Sequence, residues 1–100
     1  MSNEIEVLLA VVVEMHEGAV AEGQGYEDGV LRLLARHGGR VERRLRSIDG
    51  VTEVQIIRFV TAAGLDAFLA DPDRLALRAA IGSGAPTARV LEVRDVAATS

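Results

Sequence analysis

The sequence predicts an α+β domain whose strands and helices follow one another in the order βαββαβ. Three observations support this order. Segments of strand length rich in valine stand near both ends of the chain, apolar residues recur at helical spacing in two segments between them, and Asp49-Gly50 marks a hairpin turn. One hundred residues form one hydrophobic core, so we expect a single domain over residues 1–100, with its core at about 5–96.

The first strand is expected at Ile5 to Met15, which is rich in β-branched valine. Both faces of this segment are apolar from Val7 to Val13, as is typical of a central strand. The glycine-bearing stretch Glu17 to Gln24 is expected to be a loop. A helix is then expected to run from about Tyr26 to Gly38-Gly39, where a glycine supplies the left-handed cap.

The second strand is expected at Arg40 to Ser47, with Val41 and Leu45 on one face and Arg40, Glu42, Arg44 and Arg46 on the other. After the Asp49-Gly50 turn, Thr52 to Val60 is expected to return as its antiparallel neighbour.

Thr61 is a candidate N-cap for the next helix. Asp71-Pro72 predicts a second N-cap with proline in the first helical position, so this helix is expected to break and restart. Thr87 to Val96 alternates as a last strand. The result is a ferredoxin-like arrangement, an antiparallel four-stranded sheet with helices on one face. The other face carries apolar Leu8, Ala10 and Val12, and packing against a second copy would cover it, which predicts a homodimer.

Composition excludes several classes of function. The net charge of −4 argues against nucleic-acid binding. The longest apolar run, Val7 to Val13, is too short to span a membrane, and the acidic start Met1 to Glu4 does not resemble a secretory signal. There is no cysteine, and the two histidines are far apart, so we expect no metal site, no cofactor and a cytoplasmic location.

Two segments resemble the dimeric α+β barrel superfamily. Tyr26 to Arg40 is similar to its first helix and turn, and Phe59 with Leu65 to Arg74 is similar to its third strand and broken second helix. The resemblance spans roughly residues 5 to 96 and implies the fold of a dimeric α+β barrel. The superfamily includes cofactor-independent monooxygenases of antibiotic biosynthesis, haem-degrading enzymes, lactone isomerases and polyketide cyclases. The resemblance also implies a functional site between the sheet and the helices of each subunit.

This chain departs from parts of that pattern. It has no tryptophan and only one asparagine, Asn3, whereas the haem-degrading members use both residue types and the monooxygenases commonly do. The departure argues against haem degradation and puts oxygenation in doubt. Isomerases and cyclases, which use histidine and tyrosine, remain compatible with the sequence.

The candidate catalytic residues are His37, His16 and Tyr26, because histidine is the side chain best suited to proton transfer near neutral pH. If His37 and Tyr26 lie on one helix, both could face a sheet–helix cleft. Each residue also has a structural alternative. His37 could cap a helix end, His16 could be a solvated loop residue and Tyr26 could be an ordinary core residue.

The candidate substrate-binding residues are Arg58, Phe59 and Phe68. Arg58 interrupts an apolar strand and needs an anionic ligand or a carboxylate such as Glu92 or Glu14. Two function hypotheses follow. The first is a cofactor-independent isomerase, cyclase or monooxygenase acting on a small apolar or aromatic carbonyl compound. The second is a non-catalytic ligand-binding or assembly domain, which a filled cleft would favour.

Overall fold

The computed structural model describes residues 5–97, so the acidic start Met1 to Glu4 and the last three residues lie outside the description. Strand, helix, two strands, two helices and a final strand follow in order, as the βαββαβ pattern predicted, with the second helix in two pieces. Their bounds are β1 Val7–Glu14, α1 Val20–Leu31, β2 Gly39–Arg46, β3 Thr52–Phe59, α2 Ala62–Leu69, α3 Pro72–Ile81 and β4 Thr87–Val93.

The four strands form one antiparallel sheet in the order β2-β3-β1-β4. The strands β1 and β3 lie in the centre, where Val11 pairs with Gln55 and Val7 with Phe59. The strands β2 and β4 form the edges. This is the ferredoxin-like sheet that the sequence predicted.

The core lies between the helices and one face of the sheet. The odd-numbered residues of β1 and β3 point to this inner face, because side chains alternate along a strand. It is closed by buried residues from α1, the segment after it and α2. The buried apolar residues are Val7, Leu9, Val11, Val13, Met15, Val30, Leu33, Leu34, Ile57, Phe59 and Phe68.

The first helix begins earlier and ends earlier than the sequence predicted. It starts at Val20, inside the expected loop, because Gly23 allows the helix to lie against the side chain of Met15. A Cβ at Gly23 would stand 2.6 Å from Met15 Sδ, so tertiary packing outweighs the low helix propensity of glycine. The expected continuation to His37 is a separate 3₁₀ turn, Leu34–His37, which ends at Gly38 with the expected positive φ of 71°.

A bulge in β2 corrects the predicted faces of that strand. The register shifts between Val41 and Arg43, so Leu45 pairs with Val54 and points away from the helices, opposite to Val41. Arg44 and Arg46 lie on the inner face, where they contact residues of β3. The prediction that these arginines lie opposite Val41 was therefore wrong, because strict alternation does not hold across a bulge.

The break between α2 and α3 is confirmed, with both predicted caps. Thr61 Oγ1 accepts a hydrogen bond from Gly64 N at 3.0 Å, and Asp71 Oδ1 accepts one from Asp73 N at 2.8 Å. Pro72 occupies the start of α3. The Ser47 to Val51 turn joins β2 to β3 at the predicted place, with Gly50 at φ 81°.

The outer face of the sheet carries a row of apolar side chains, and no helix of residues 5–97 covers it. Even-numbered residues of the central strands meet odd-numbered residues of β4 there, since paired residues share a face. Its apolar members are Leu8, Ala10, Val12, Leu45, Val54, Ile56, Leu91 and Val93.

Within residues 5–97, no helix is long and apolar enough to cross a membrane.

Candidate functional site

A cavity of about 220 Å³ lies between the inner face of the sheet and the helices. Most of its wall is apolar. The residues that line it from the sheet and from the position before β4 are Leu9, Val11, Gln55, Ile57, Phe59, Pro86, Ala88 and Val90, and those from the helices are Tyr26, Glu27, Val30, Leu31, Leu65, Phe68, Leu69, Arg74 and Arg78. The exposed residues Arg78 and Val90 both belong to this wall, so the cavity reaches solvent between α3 and β4. An apolar cavity of about 150 Å³ already holds benzene.

A buried carboxyl group faces this apolar space. Glu27 lies in the middle of α1 and is 7% exposed, and Gln55 in the centre of β3 is 2% exposed. Gln55 Nε2 donates hydrogen bonds to Glu27 Oε1 at 2.8 Å and to Glu53 Oε2 at 2.6 Å. Two carboxylates on the same side fix the amide with its nitrogen toward them, because only the nitrogen can donate to both.

The second carboxylate, Glu53, is held by two arginines of β2. Arg44 Nε donates to Glu53 Oε2 at 2.7 Å, and Arg46 Nη2 donates to Glu53 Oε1 at 2.7 Å. Arg44 also pairs with Asp28 of α1 at 2.7 Å. The bulge in β2 places both guanidinium groups on the inner face. A continuous chain of polar contacts therefore runs from the cavity at Glu27 to the surface at Arg44.

The two glutamates have opposite electrostatic environments. Burial raises the pKa of Glu27 above its ordinary value; the hydrogen bond from Gln55 opposes this shift, and the nearby charge of Glu53 adds to it. Burial also acts to raise the pKa of Glu53, but hydrogen bonds from Arg44, Gln55 and Arg46 outweigh it, so that pKa is lowered. Glu27 is therefore the more basic of the two carboxylates, and it lines the cavity.

Arg74 brings a positive charge to the same cavity from α3. Its guanidinium carbon lies 5.5 Å from the centre of the Phe68 ring, and its Nη1 donates to the carbonyl oxygen of Leu69 at 3.1 Å. The Nε atom is buried and has no hydrogen-bond partner within residues 5–97. Arg74 also attracts the carboxylate of Glu27 electrostatically.

Three residues named from the sequence meet in this cavity. Tyr26, Phe59 and Phe68 line it, and the rings of Phe59 and Phe68 lie 5.7 Å apart. Phe59 is 1% exposed at the end of β3, so its ring forms a fixed part of the wall. These residues provide a surface suited to an aromatic ligand.

The structure does not bring His37 to the cavity wall. Its Nε2 lies 2.7 Å from Asp71 Oδ2, and its ring packs edge-on against Phe68 at 6.2 Å. This hydrogen bond, with those from Asp73 N and Arg36, lowers the pKa of Asp71 to about 2. His37 therefore joins the 3₁₀ turn to the start of α3.

His16 and Arg58 lie elsewhere. His16 is exposed just beyond β1. Arg58 is on the outer face of the sheet, where its Nε donates to Glu42 at 2.8 Å and its Nη1 to Glu6 at 2.9 Å. These partners differ from the expected Glu92 and Glu14, because the pairing of β2 with β3 brings Glu42 beside Arg58.

Sequence reasoning missed four polar residues of the cavity wall, Glu27, Gln55, Arg74 and Arg78. Gln55 carried a signal, since it interrupts an apolar strand at a position that shares a face with Ile57 and Phe59. Glu27 carried no such signal, because it lies at the expected start of the helix, where the pattern did not define which face of the helix it occupies. Across residues 5–97, no group of three or more histidine and carboxylate side chains could hold a metal ion.

Among known proteins, solved structures similar to this chain support the fold described above. No protein-family model matches the chain, and no curated protein matches it in sequence. It is similar to the solved structure of Rv0793 from Mycobacterium tuberculosis, with a TM-score of 0.68 and 20% identity over 94% of this chain and 100% of the other. SnoaB, a cofactor-independent oxygenase from Streptomyces nogalater, gives a TM-score of 0.67 and 23% identity over 91% of this chain and 95% of its own.

A NIPSNAP domain protein from Burkholderia xenovorans is also similar, with a TM-score of 0.67 and 18% identity over 93% and 98% of the two chains. At these identities the likeness concerns the fold. The chain therefore has the ferredoxin-like α+β fold of these proteins, as the resemblance of its helices and strands to dimeric α+β barrel subunits implied.

Proposed function

We propose that the protein is a cofactor-independent enzyme that moves a proton on a small aromatic carbonyl compound bound in the sheet–helix cavity. The observation that carries this proposal is the position of Glu27, a buried carboxyl group of raised pKa on the wall of a mostly apolar cavity. Buried groups with perturbed pKa values in a cleft are typical of sites of proton transfer. A second supporting observation is the similar fold of SnoaB, a cofactor-independent oxygenase.

The residues of the cavity have different roles in the proposed reaction. The carboxylate of Glu27 removes a proton from the carbon beside the carbonyl group, and the electron pair of that C–H bond moves to the carbonyl oxygen as an enolate. Tyr26 supplies a hydroxyl group that can donate to that oxygen, while Phe59 and Phe68 hold the ring. An isomerase returns the proton to another atom, and a cyclase lets the enolate attack a second carbonyl. Gln55 keeps Glu27 in place.

Glu27 replaces the histidines in this proposal, since His37 binds Asp71 and His16 is exposed beyond β1. A non-catalytic ligand-binding domain would use the same cavity. The cavity is not filled by its phenylalanines and leucines, which favours a site for a ligand over a purely structural core. Proton exchange on a bound ligand separates the two functions.

We also propose that the protein acts as a homodimer in which two copies cover each other's outer sheet face. The support is the row of apolar side chains on that face, including Leu8, Ile56 and Leu91. Packed sheets bury such faces about 10 Å apart. The cavity lies on the opposite side of the sheet, so each subunit keeps its own opening between α3 and β4.

Phenylacetone, a neutral aromatic ketone, tests the enzymatic proposal. In D₂O its benzylic protons are followed by proton NMR with and without protein. We expect the wild type to accelerate exchange and Glu27→Gln, which keeps an oxygen acceptor for Gln55, to lose that acceleration while still binding the ketone. Binding without acceleration in the wild type would identify a ligand-binding domain instead. Acceleration that survives Glu27→Gln would assign the base to another residue.

A further inference from the structure

The eleven arginines of the chain differ in whether a carboxylate of the described residues pairs with them. Arg36, Arg40, Arg44, Arg46 and Arg58 each form an ion pair with a carboxylate. Arg74 and Arg78, by contrast, have no carboxylate oxygen within 4.0 Å among residues 5–97, and both line the cavity. Arg32, Arg43, Arg89 and Arg94 likewise have no such carboxylate oxygen among the described residues, but they lie outside the cavity wall. Two cationic side chains without a carboxylate partner in the described part of the chain therefore line the cavity.

Helix geometry places the two side chains together. Arg74 and Arg78 are four residues apart on α3, so they lie on the same side of the helix, one turn from each other. Arg74 is the deeper of the two, with its Nε buried and unpartnered in the described part of the chain, whereas Arg78 is exposed. The positive groups therefore extend from the interior of the cavity to its opening.

A buried guanidinium donor without an acceptor is costly, because its hydrogen bond to water has been lost and not replaced. An anionic group bound beside Arg74 would accept that hydrogen bond and be attracted by both charges. A guanidinium group also binds a carboxylate through two parallel hydrogen bonds. The apolar walls around Phe59 and Phe68 are suited to the uncharged part of the same ligand.

We propose that the ligand of this cavity is a small aromatic compound bearing a carboxylate, with the carboxylate at Arg74 and the ring against Phe59 and Phe68. This inference rests on the proposed function and narrows its substrate class from small aromatic carbonyl compounds to aromatic oxo acids. Arg78 guides the anion at the opening, and Arg74 holds it inside. The reacting carbon then lies toward Glu27, on the α1 side of the cavity.

Two probes with the same skeleton test the charge requirement. Phenylpyruvate carries a carboxylate where phenylacetone carries a methyl group, and both have a benzylic CH₂ beside a carbonyl. Binding of each is measured by calorimetry and exchange by proton NMR. We expect the wild type to bind phenylpyruvate at least tenfold more tightly than phenylacetone. In Arg74→Gln we expect this preference to disappear, because the carboxylate of phenylpyruvate loses its partner while both probes keep their ring contacts with Phe59 and Phe68.

Two further variants separate charge from folding. Arg74→Lys keeps the charge and loses the guanidinium nitrogen atoms, so an intermediate preference is expected. Arg94→Gln, an exposed arginine away from the cavity, should behave as the wild type. Equal binding of both probes by the wild type, or a preference that persists in Arg74→Gln, would overturn the carboxylate proposal and leave the ketone activity standing. Failure to bind either probe would overturn the proposed function as well.

Discussion

Gln55 Nε2 lies 2.8 Å from Glu27 Oε1 and joins a carboxyl group in the cavity to the sheet behind it. The same nitrogen donates to Glu53, whose charge is balanced by Arg44 and Arg46. The position of Glu27 therefore depends on the sheet as well as on its own helix. Its raised pKa follows from burial beside this network.

Glu27→Gln should change how stability depends on pH. Since the pKa of Glu27 is raised in the folded state, that state binds its proton more tightly than the unfolded chain does. The wild type should lose stability as pH rises from about 4.5 through the folded-state pKa, and the variant should not. Urea unfolding from pH 4 to 8 measures this, and identical slopes for both proteins would contradict the burial of a titrating Glu27.

Glu53→Gln should destabilise the fold by about 2 kcal/mol, because it removes the buried negative charge that balances two guanidinium groups and replaces one of their two accepting oxygens with an NH₂ donor. Glu53 is fully buried, whereas Arg44 and Arg46 are partly exposed and partly hydrated, which limits the loss. Arg94→Gln, in an exposed position, should change stability by less than about 0.5 kcal/mol. Urea unfolding compares the two variants, and equal stabilities would show that the network contributes little.

Two glycine substitutions in helices should have opposite signs. A Cβ at Gly64 would overlap the carbonyl oxygen of His37, so Gly64→Ala should destabilise by about 1–3 kcal/mol. A Cβ at Gly25 meets no atom within 4 Å, so Gly25→Ala should stabilise by roughly 0.5–1 kcal/mol through helix propensity. Thermal unfolding measures the stability of both variants. A stabilising effect of Gly64→Ala would contradict the close approach of α2 to the 3₁₀ turn.

Asp71→Asn should flatten the acid end of the stability profile. The pKa of Asp71 is lowered from 3.8 to about 2, chiefly by the hydrogen bond from His37, so its contribution is present above pH 3.8 and is lost as pH falls toward 2. Asparagine keeps the N-cap acceptor and removes the titration. Asp73→Asn, at an exposed residue, is the matched control. Acid unfolding followed by circular dichroism should show the change only in Asp71→Asn.

Ile56→Arg should weaken the proposed dimer without unfolding the subunit. Ile56 lies in the centre of the outer face, between Ala10 on β1 and Arg43 on β2, so a second charge there opposes apolar contact. Sedimentation velocity at micromolar concentration should show a dimer for the wild type and a monomer for the variant. A monomeric wild type would show that another partner, or solvent, covers this face.

The fold could be predicted because its signals are local. Asp49-Gly50, Thr61 and Asp71-Pro72 mark turns and caps by their own chemistry, and the valines of β1 specify a central strand. The start of α1 could not be predicted, since Gly23 has a low helix propensity and its close contact with Met15 is a tertiary one. The side chains of Arg44 and Arg46 point to the inner face because of the bulge in β2. The alternation of polar and apolar residues in the sequence of β2 does not indicate this bulge.

The candidate site was less predictable for a similar reason. Phe59, Phe68 and Tyr26 could be named because aromatic residues on apolar faces point inward. Glu27 and Arg74 are charged residues on helices, and such residues are usually exposed. Only the position of each helix over the sheet shows that these two side chains line a cavity.

The pH dependence of benzylic exchange in phenylacetone tests the central claim most directly. The claim predicts that the rate with wild-type protein rises with pH as Glu27 loses its proton, with a midpoint above 4.5, and then levels off, while Glu27→Gln stays at the uncatalysed rate throughout. A wild-type profile that coincides with that of Glu27→Gln would contradict the assignment of this cavity as a proton-transfer site.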